Sequence, residues 1–455
     1  MITTTNPATG QPPASYEPMT PAALEEAVNR GFTTAATWGQ APLETRLHAL
    51  TTLAEFLRSR SPSLAALITA EMGKPIAEAE GEIEKSAVTA EYYAAQAPAI
   101  LADEPVDVGS ARAWISYEPI GLVLAVMPWN FPVWQVLRFA VPTLAAGNGV
   151  LLKHSPNVTG SALALQQLFV DAGFPAGLVT TLVVDEADVP STIEGLIADD
   201  RIAAVTLTGS NRAGAAVGAA AGRAAKRSVL ELGGSDAFVV LADADVEAAA
   251  AAAVRARFTN SGQSCVCAKR FIVEAAVADE FLDRFIAGVE ALKLGDPADR
   301  AVTLGPLARD DLRTVLQRQV EESVAAGAKL VTGGSAVDGP GYYFEPTILT
   351  GTGPGMPAFD EETFGPVAAV AVAADVEEAV TLAGATQYGL GLSVWSLERG
   401  VEVARRITSG AAFVNAVVAS DPRVPFGGTK HSGYGRELSV AGIREFTNTR
   451  TYWVA

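Results

Sequence analysis

Of all the residues in this chain, Cys265 is the strongest candidate for a reactive group, and it lies in the run Gly262-Gln263-Ser264-Cys265. A cysteine on a glycine-containing turn after a helical pattern is accessible, and its thiolate is a strong nucleophile. The competing interpretation is a small buried hydrophobic residue, a common environment for cysteine. Cys267 fits that second interpretation better, because it lies at the approach to a predicted strand. Cys265 is therefore the candidate nucleophile.

A base is expected to accompany this cysteine, and Glu231 is the candidate. The chain has only three histidines, scattered along the sequence, so a Cys–His pair stays open but has little support. Glu231 follows the apolar residues Val229 and Leu230 near the end of a predicted strand. Burial there would raise the pKa of its carboxyl toward neutrality, as a general base requires. The alternative is an exposed glutamate at a strand end.

Two polar residues follow apolar runs directly. Asn130 lies in Pro128-Trp129-Asn130-Phe131-Pro132, just after the first run, and Lys153 ends the next one. Ligands of parallel sheets bind at the carboxyl ends of the strands. An amide there could donate to a developing oxyanion, and a lysine could hold a phosphate or a ribose hydroxyl. A turn-forming asparagine and an ordinary strand-end lysine are the alternatives.

Phosphate binding is indicated at Thr208-Gly209-Ser210, which opens a helical pattern. Free N–H groups and the dipole of a helix start favour a pyrophosphate. The standard dinucleotide fingerprint G-x-G-x-x-G is absent, and Gly214 and the glycines that follow it could instead allow close helix packing. Glu362, before a tight turn, could bind ribose hydroxyls or be ordinary surface charge.

Composition excludes several classes of protein. The 455 residues are 49% hydrophobic and 18% charged, with a formal net charge of −18, which is a globular composition. So acidic a chain is a poor partner for nucleic acid. The two cysteines exclude a disulfide framework, and no familiar zinc-site spacing occurs, so we expect no metal. The N-terminus has no basic start followed by an apolar run, so we expect no signal peptide. The most apolar stretch, residues 120–127, is too short to span a bilayer, so we expect no membrane partner and a cytoplasmic location.

The periodicity predicts an α/β fold. The first hundred residues read as helices, and Thr20-Pro21 is a typical helix start. After Gly121, short apolar runs alternate with helical patterns, which predicts a parallel sheet covered by helices on both faces. The alternation resumes after Gly233-Gly234 and continues to about residue 430. The tail, residues 446–453, reads as a strand that needs a partner edge, and pairing with another subunit would supply one.

Together these motifs resemble the aldehyde dehydrogenase family over nearly the whole chain, and within it the bacterial succinate-semialdehyde dehydrogenases. The motifs that carry the resemblance are Pro128-Trp129-Asn130-Phe131-Pro132, Thr208-Gly209-Ser210, Glu231-Leu232-Gly233-Gly234, the run from Phe258 to Cys265, Glu362-Thr363-Phe364-Gly365-Pro366 and Pro425-Phe426-Gly427-Gly428. The resemblance implies that Cys265 attacks the aldehyde carbon, that Asn130 and the backbone N–H of Cys265 hold the oxyanion, and that Glu231 activates water to hydrolyse a thioester.

The resemblance also implies an NAD or NADP cleft. The residues it assigns to the cofactor are Trp129, Lys153, Ser155, Pro156, Gly209, Ser210, Leu232, Glu362 and Phe364. Pro156 stands where NAD-selective relatives often carry a glutamate, and Ser155 lies one place before the serine position of NADP-using relatives. The chain therefore has neither the glutamate typical of NAD-selective relatives nor the serine typical of NADP-using ones at this position. We expect NAD to be slightly favoured over NADP.

For the substrate, the resemblance assigns Arg138 and Ser420 to a distal carboxylate. It implies that Arg138→Ala raises KM mainly for carboxylated aldehydes, whereas a surface arginine on an amphipathic helix would have no such effect. Thr259 stands where some relatives carry a second arginine, which weakens strict selectivity for succinate semialdehyde. The alternatives are a CoA-acylating semialdehyde dehydrogenase, a broad-specificity aldehyde dehydrogenase and a non-catalytic relative. Retention of Glu231 argues against the CoA-acylating branch.

The implied organisation has three parts. They are an NAD(P)-binding domain at residues 1–100 and 120–233, a catalytic domain at residues 234–432, and a small β oligomerisation element at residues 101–119 and 433–455. The family forms dimers and tetramers, so we expect a homodimer or a homotetramer.

Overall fold

The computed structural model describes all 455 residues, and residues 21–100 are almost entirely helical as predicted, whereas residues 1–20 form no helix and contain two short strands. Thr20 caps the first helix, since its hydroxyl oxygen accepts a hydrogen bond from the N–H of Ala23 at 3.2 Å. The α-helices are α1 (Pro21–Gln40), α2 (Leu43–Ser59), α3 (Ser61–Met72), α4 (Ile76–Ile100), α5 (Trp134–Ala145), α6 (Thr159–Asp171), α7 (Val189–Ala198), α8 (Asn211–Arg223), α9 (Val246–Phe258), α10 (Ala278–Glu290), α11 (Asp310–Ala325), α12 (Pro357–Asp360), α13 (Val376–Gly384), α14 (Gly400–Ala404) and α15 (Ser439–Glu445).

The strands form four sheets. They are β1 (Ile2–Thr3), β2 (Ser15–Tyr16), β3 (Glu104–Val108), β4 (Ala111–Pro119), β5 (Leu122–Met127), β6 (Gly149–His154), β7 (Val179–Thr181), β8 (Ile202–Thr208), β9 (Arg227–Glu231), β10 (Asp236–Val240), β11 (Ala268–Glu274), β12 (Lys329–Thr332), β13 (Thr347–Thr350), β14 (Val367–Ala373), β15 (Gly391–Trp395), β16 (Ala411–Val414), β17 (Gly433–Tyr434) and β18 (Thr447–Val454). The predicted α/β fold is confirmed.

The six-stranded sheet runs β17-β9-β8-β5-β6-β7, and all its strands but β17 are parallel. The register pairs Met127 with His154 and Thr208 with Glu231, so these four residues end their strands at one edge. Because ligands of parallel sheets bind at this edge, the sheet places the predicted polar residues around a common cleft.

The seven-stranded sheet runs β12-β13-β14-β11-β10-β15-β16 and is parallel except for β12. Its β10 follows β9 after only four residues, and Cys265 lies three residues before β11. The amino ends of its central strands therefore face the carboxyl edge of the six-stranded sheet. This arrangement puts Cys265 between the two sheets.

The C-terminal strand β18 pairs antiparallel with β4 of its own chain, in a three-stranded sheet ordered β18-β4-β3. The rings of Trp114 and Tyr452 stack across this pair with centroids 4.9 Å apart. The tail is thus a strand as predicted, and one of its edges finds a partner without a second subunit. Residues 433–434 pair instead with β9 in the six-stranded sheet. The division into domains stays a prediction.

The largest hydrophobic core joins the N-terminal helices to both faces of the six-stranded sheet. Strand β5 has no exposed residue, as expected for a central parallel strand covered by helices on both faces. No helix in the structure combines the length and the apolar character that a membrane span requires.

Candidate active site

Cys265 lies where two cavities meet. A cavity of about 270 Å³ lies on one side of it and includes Phe131, Trp134 and Phe426 among its lining residues. A second cavity of about 230 Å³ has Trp129 and Phe364 in its lining, and Cys265 borders both. The half-buried sulfur can therefore contact a small molecule in the first cavity, here called the aldehyde cavity, and a planar ring in the second, here called the ring cavity.

The turn that carries Cys265 has an unusual backbone. Asn260 and Ser261 have φ of 54°, and Gly262 has φ of 74°. Left-handed conformations cost free energy in residues other than glycine, and they persist where surrounding contacts hold them. Ser261 Oγ donates to the carbonyl of Gly305 at 2.9 Å and accepts from its N–H at 3.0 Å. The cysteine is thus presented by a rigid turn.

Asn130 is directed at this turn. Its Nδ2 donates to the carbonyl of Gln263 at 3.1 Å, and Asn260 Nδ2 donates to the carbonyl of Asn130 at 2.8 Å. The backbone N–H of Cys265 makes no hydrogen bond to a backbone carbonyl. An asparagine amide and a free N–H beside a nucleophile have the chemistry of an oxyanion hole.

The pKa of the Cys265 thiol is raised to about 12, chiefly by burial. The positive charges of Arg138 and Lys269 oppose this effect and favour the thiolate. Lys269 is held close, since its Nζ donates to the carbonyl of Cys265 at 2.7 Å. At neutral pH the sulfur of this conformation is therefore a thiol, and attack requires loss of its proton.

Glu231 is buried, with 2% of its surface exposed, so the alternative of an exposed strand-end glutamate is wrong. Burial, and then the negative charge of Glu437, raise its pKa well above the usual value. Neither carboxylate oxygen of Glu231 has a hydrogen-bond partner, and the side chain borders neither cavity. The structure therefore brings Asn130 to Cys265, but in this conformation it leaves the carboxylate of Glu231 turned away.

Arg138 is buried on α5 with 2% of its surface exposed, so the alternative of a surface arginine is wrong. Its guanidinium forms an ion pair with Glu437 and lies over the ring of Phe426, 4.4 Å from the centroid. Arg138 borders the aldehyde cavity, but Glu437 already compensates its charge. Glu437 was not predicted from the sequence, because nothing in its local pattern marks it as the partner of an arginine.

Arg138→Ala is expected to destabilise the fold as well as to change the cavity. Removal of the arginine leaves the carboxylate of Glu437 buried beside Glu231 without a cation, and breaking a buried pair in this way typically costs about 3–5 kcal/mol. Urea unfolding would measure the loss. Arg223→Ala, which removes an arginine from an exposed pair with Glu194, should cost less than about 1 kcal/mol. A loss for Arg138→Ala no larger than that of the control would contradict the prediction.

The predicted cofactor residues fall into two groups. Trp129, Gly209, Ser210, Leu232, Glu362 and Phe364 line the ring cavity. Ser155 and Pro156 line a larger cavity of about 720 Å³, and Arg309 borders both spaces. Lys153 is the last but one residue of β6, it lines neither space, and burial lowers its pKa. Six of the nine predicted cofactor residues thus line the ring cavity, and two line the larger cavity, which shares Arg309 with it.

The site fits a dinucleotide in its local chemistry. Ser210 caps α8, because its hydroxyl oxygen accepts a hydrogen bond from the N–H of Ala213 at 3.3 Å. The remaining free N–H groups at the start of this 13-residue helix therefore lie near the ring cavity. A Cβ built at Gly209 would contact only Leu207, so the backbone there is open to a ligand. Glu362 accepts from the N–H of Gly234 at 3.0 Å, which fixes its carboxylate at the mouth. Gly214 packs tightly on Leu232, so the packing interpretation is correct for that glycine.

Ser420 lines the aldehyde cavity, as does Thr259. Its Oγ accepts a hydrogen bond from Nζ of Lys85 at 2.7 Å. Lys85 was not predicted, because it lies mid-way along α4 with no motif around it and 335 residues from Ser420. The aldehyde cavity thus carries a cation that the sequence pattern did not reveal.

Comparison with known proteins agrees with this geometry. The sequence pattern of the aldehyde dehydrogenase family matches residues 1–452. The succinate semialdehyde dehydrogenase Sad of Escherichia coli strain K12, whose name gives NAD(P)+, is 48% identical over 98% of this chain and 96% of that protein. Succinate-semialdehyde dehydrogenase 1 of Mycobacterium tuberculosis strain H37Rv, whose name gives NADP+, is 45% identical over the full length of both.

Solved structures agree as well. The succinic semialdehyde dehydrogenase of Streptococcus pyogenes, crystallised with NADP+, superposes with a TM-score of 0.96 at 36% identity over 100% of both chains. The succinate-semialdehyde dehydrogenase of Burkholderia pseudomallei gives a TM-score of 0.95 at 34% identity over 100% of this chain and 94% of that one. The cysteine turn, the paired sheets and the matched pattern over nearly every residue lead to one conclusion: the chain belongs to the aldehyde dehydrogenase family.

Proposed function

We propose that this aldehyde dehydrogenase oxidises succinate semialdehyde to succinate with NAD or NADP. The observation that carries the proposal is the position of Cys265 between the aldehyde cavity and the ring cavity. Similarity to the curated relatives and to the S. pyogenes enzyme supports this substrate and these cofactors.

The aldehyde cavity suits a short chain with an anionic end. Its volume of about 270 Å³ is small, and the rings of Phe131, Trp134 and Phe426 line its apolar part. Lys85 adds positive charge to the lining, which favours a carboxylate over a purely aliphatic tail. The charged tail would hold the aldehyde carbon near the sulfur, since orientation by a remote contact lowers the barrier of the reaction.

Attack by Cys265 begins the reaction. The Cys265 thiol gives its proton to solvent water, a loss that the positive charges of Arg138 and Lys269 favour, and the sulfur bonds to the aldehyde carbon as the carbonyl π bond opens to form the thiohemiacetal anion. The carbonyl oxygen takes the negative charge between Asn130 Nδ2 and the N–H of Cys265. These donors are held before the reaction by the turn, so they require no reorganisation as the charge develops.

The dinucleotide would be held by the residues that the resemblance assigns to it, namely Trp129, Lys153, Ser155, Pro156, Gly209, Ser210, Leu232, Glu362 and Phe364. A nicotinamide held there would supply the hydride acceptor needed to convert the thiohemiacetal on Cys265 to a thioester. The rings of Trp129 and Phe364 meet edge to face with centroids 5.6 Å apart and form one wall of the space beside the sulfur.

Glu231 would then activate water. Its oxygen takes a proton from the water as the water oxygen bonds to the thioester carbon, and the sulfur leaves as a thiolate with release of the acid. Burial raises the pKa of this carboxyl well above its usual value, which makes the carboxylate a stronger base for this step. Because the carboxylate borders neither cavity, its side chain must turn toward Cys265 before hydrolysis.

We also infer from the resemblance that the protein is a cytoplasmic homodimer or homotetramer with the three-part organisation given above. The free edge of β18 is consistent with a contact between subunits. Sedimentation of the purified protein would measure the oligomeric state.

Steady-state rates with a panel of aldehydes test the proposed function. The panel compares succinate semialdehyde with butanal, each with NAD and with NADP, in the presence and absence of CoA. We expect succinate semialdehyde to have the higher kcat/KM by about 10- to 100-fold, the contribution of one charged hydrogen-bonded contact. A complete lack of reduced cofactor would reject oxidation, and formation of succinyl-CoA would reject hydrolysis in favour of CoA acylation.

A further inference from the structure

Lys85 projects from α4 into the aldehyde cavity. Its Nζ donates to Ser420 Oγ at 2.7 Å and lies 4.4 Å from the ring centroid of Trp134. All three residues line the cavity that Cys265 borders. The ammonium is therefore at the substrate side of the site, on a helix rather than on a mobile loop.

Of the four other acidic and basic side chains that line this cavity, two are ion-paired, and a third, Glu78, accepts the N–H of Asn260 at 2.6 Å while burial raises its pKa to about 7. Glu82 forms an ion pair with Lys74 and accepts the N–H groups of Val133 and Trp134 at 2.8 and 2.9 Å. Arg138 is paired with Glu437. These pairs leave little net charge with which to attract a ligand.

Lys85 differs from these residues because no carboxylate lies within ion-pair distance of its ammonium. The nearby Asp421 is instead paired with Arg423. Arg255 also lines the cavity, but its side chain is exposed and donates to a carbonyl of its own helix. Lys85 is therefore the half-buried cation of the cavity whose charge is not compensated by a protein carboxylate.

Burial lowers the pKa of Lys85 to about 8, and the charge of Arg138 contributes in the same direction. The charges of Glu82 and Asp421 partly oppose this effect. Removing an unpaired ammonium from water is unfavourable, and an anionic ligand would offset that cost. The position is thus better suited to an anion than to an apolar group.

The donor geometry also matches a carboxylate. An ammonium has three N–H donors, and Ser420 uses one of them. Because the serine oxygen accepts from Lys85, its own hydroxyl proton stays available for a further bond. Lys85 and Ser420 together can therefore supply several donors to two carboxylate oxygens.

From these contacts we infer that Lys85, together with Ser420, binds the carboxylate at the far end of the aldehyde substrate. Arg138, held by Glu437, is then a positioning residue for the cavity wall and for the charge near Cys265. The inference rests on the proposed function and specifies which side chain selects its substrate class.

Two variants and a control test this role. Lys85→Met keeps most of the side-chain volume and removes the charge, whereas Lys85→Arg keeps the charge. Lys329→Met changes an exposed lysine at the start of β12, remote from both cavities. Initial rates with succinate semialdehyde and with butanal, which has the same chain length without the carboxylate, give the ratio of their kcat/KM values. Calorimetric titration with succinate provides a readout that does not depend on activity.

Lys85→Met is expected to lower that ratio by about 10- to 100-fold, mainly through KM for succinate semialdehyde, and to abolish measurable succinate binding. Lys85→Arg should retain much of the kcat/KM ratio and of the succinate binding, and Lys329→Met should match the wild type in both measurements. An unchanged ratio in Lys85→Met, or an equal loss for both aldehydes, would overturn the inference while the proposed function stands. Failure of the wild-type protein to oxidise succinate semialdehyde would instead reject the proposed function and the inference with it.

Discussion

Cys265→Ala is expected to abolish the formation of reduced cofactor from aldehydes. The covalent route needs a sulfur at the junction of the two cavities, and no other nucleophilic side chain lines both of them. Loss of a covalent nucleophile lowers turnover by about 10⁴-fold or more in well-studied enzymes, and we expect an effect of that order here. Absorbance of the reduced nicotinamide would measure it.

Cys267→Ser is the matched control for this experiment. Cys267 is buried two residues away, and its sulfur faces the carbonyl of Thr259 at 3.8 Å. A serine there can make the same contact, so the rate should fall by less than about tenfold, the effect of a modest loss of packing. Residual turnover above one per cent in Cys265→Ala, or equal losses in the two variants, would disprove the assignment of Cys265 as the nucleophile.

Glu231→Gln is expected to separate the two halves of the reaction. Attack and hydride transfer do not use this carboxyl in the proposed mechanism, so the first turnover should still release about one equivalent of reduced cofactor per active site. Hydrolysis of the thioester should then slow by about 10²- to 10⁴-fold, the usual contribution of a general base. Stopped-flow absorbance would show a burst followed by a nearly flat phase.

Trapping would show where this variant stops. Mass spectrometry of the stalled protein should find the acyl group on the peptide that contains Cys265, and hydroxylamine, which attacks thioesters without a base, should restore turnover. Glu55→Gln, on the exposed face of α2, is the matched control and should behave as the wild type. A Glu231→Gln protein that shows neither a burst nor an acyl adduct would place Glu231 before hydrolysis rather than in it.

Misfolding would not explain that result, because Glu231→Gln should not destabilise the protein. Burial and the charge of Glu437 raise the pKa of Glu231 in the folded protein above its pKa in the unfolded chain. Above the unfolded pKa, this carboxyl therefore lowers the free energy of unfolding. A neutral glutamine removes this effect at neutral pH. The urea midpoint of the variant should therefore equal or exceed that of the wild type.

The local elements of the fold followed from the sequence. The apolar runs at residues 122–126 and 202–207 predict strands, and β5 and β8 each extend one residue beyond them, while α7 has the bounds of the helical pattern at residues 189–198. Residues at intervals of two or of 3.6 share a face, so a pattern within one short segment predicts which element it forms. The candidate residues at strand ends were predicted on the same basis, since parallel strands bring their carboxyl ends to one edge.

The pairing of charges was not predictable in this way. The ion pair of Arg138 with Glu437 and the hydrogen bond of Lys85 to Ser420 each join segments that are far apart in the chain. Arg138 could bind a substrate carboxylate or pair with a carboxylate of the protein. Which of these it does depends on whether a protein carboxylate is packed against its guanidinium. That partner is chosen by the packing of α5 against the C-terminal segment, which no local pattern describes.

By itself, the sequence determined the α/β class, the family and the identity of the candidate nucleophile, base and oxyanion donor, because these depend on local periodicity and on short motifs. The tertiary structure alone decided that Cys265 lies between two cavities, that the buried Glu231 borders neither of them, and that Lys85 is a cation without a carboxylate partner. The physical reason is that burial, desolvation and charge compensation depend on which distant segments pack together, and small changes in that packing decide whether a charged side chain is available to a ligand.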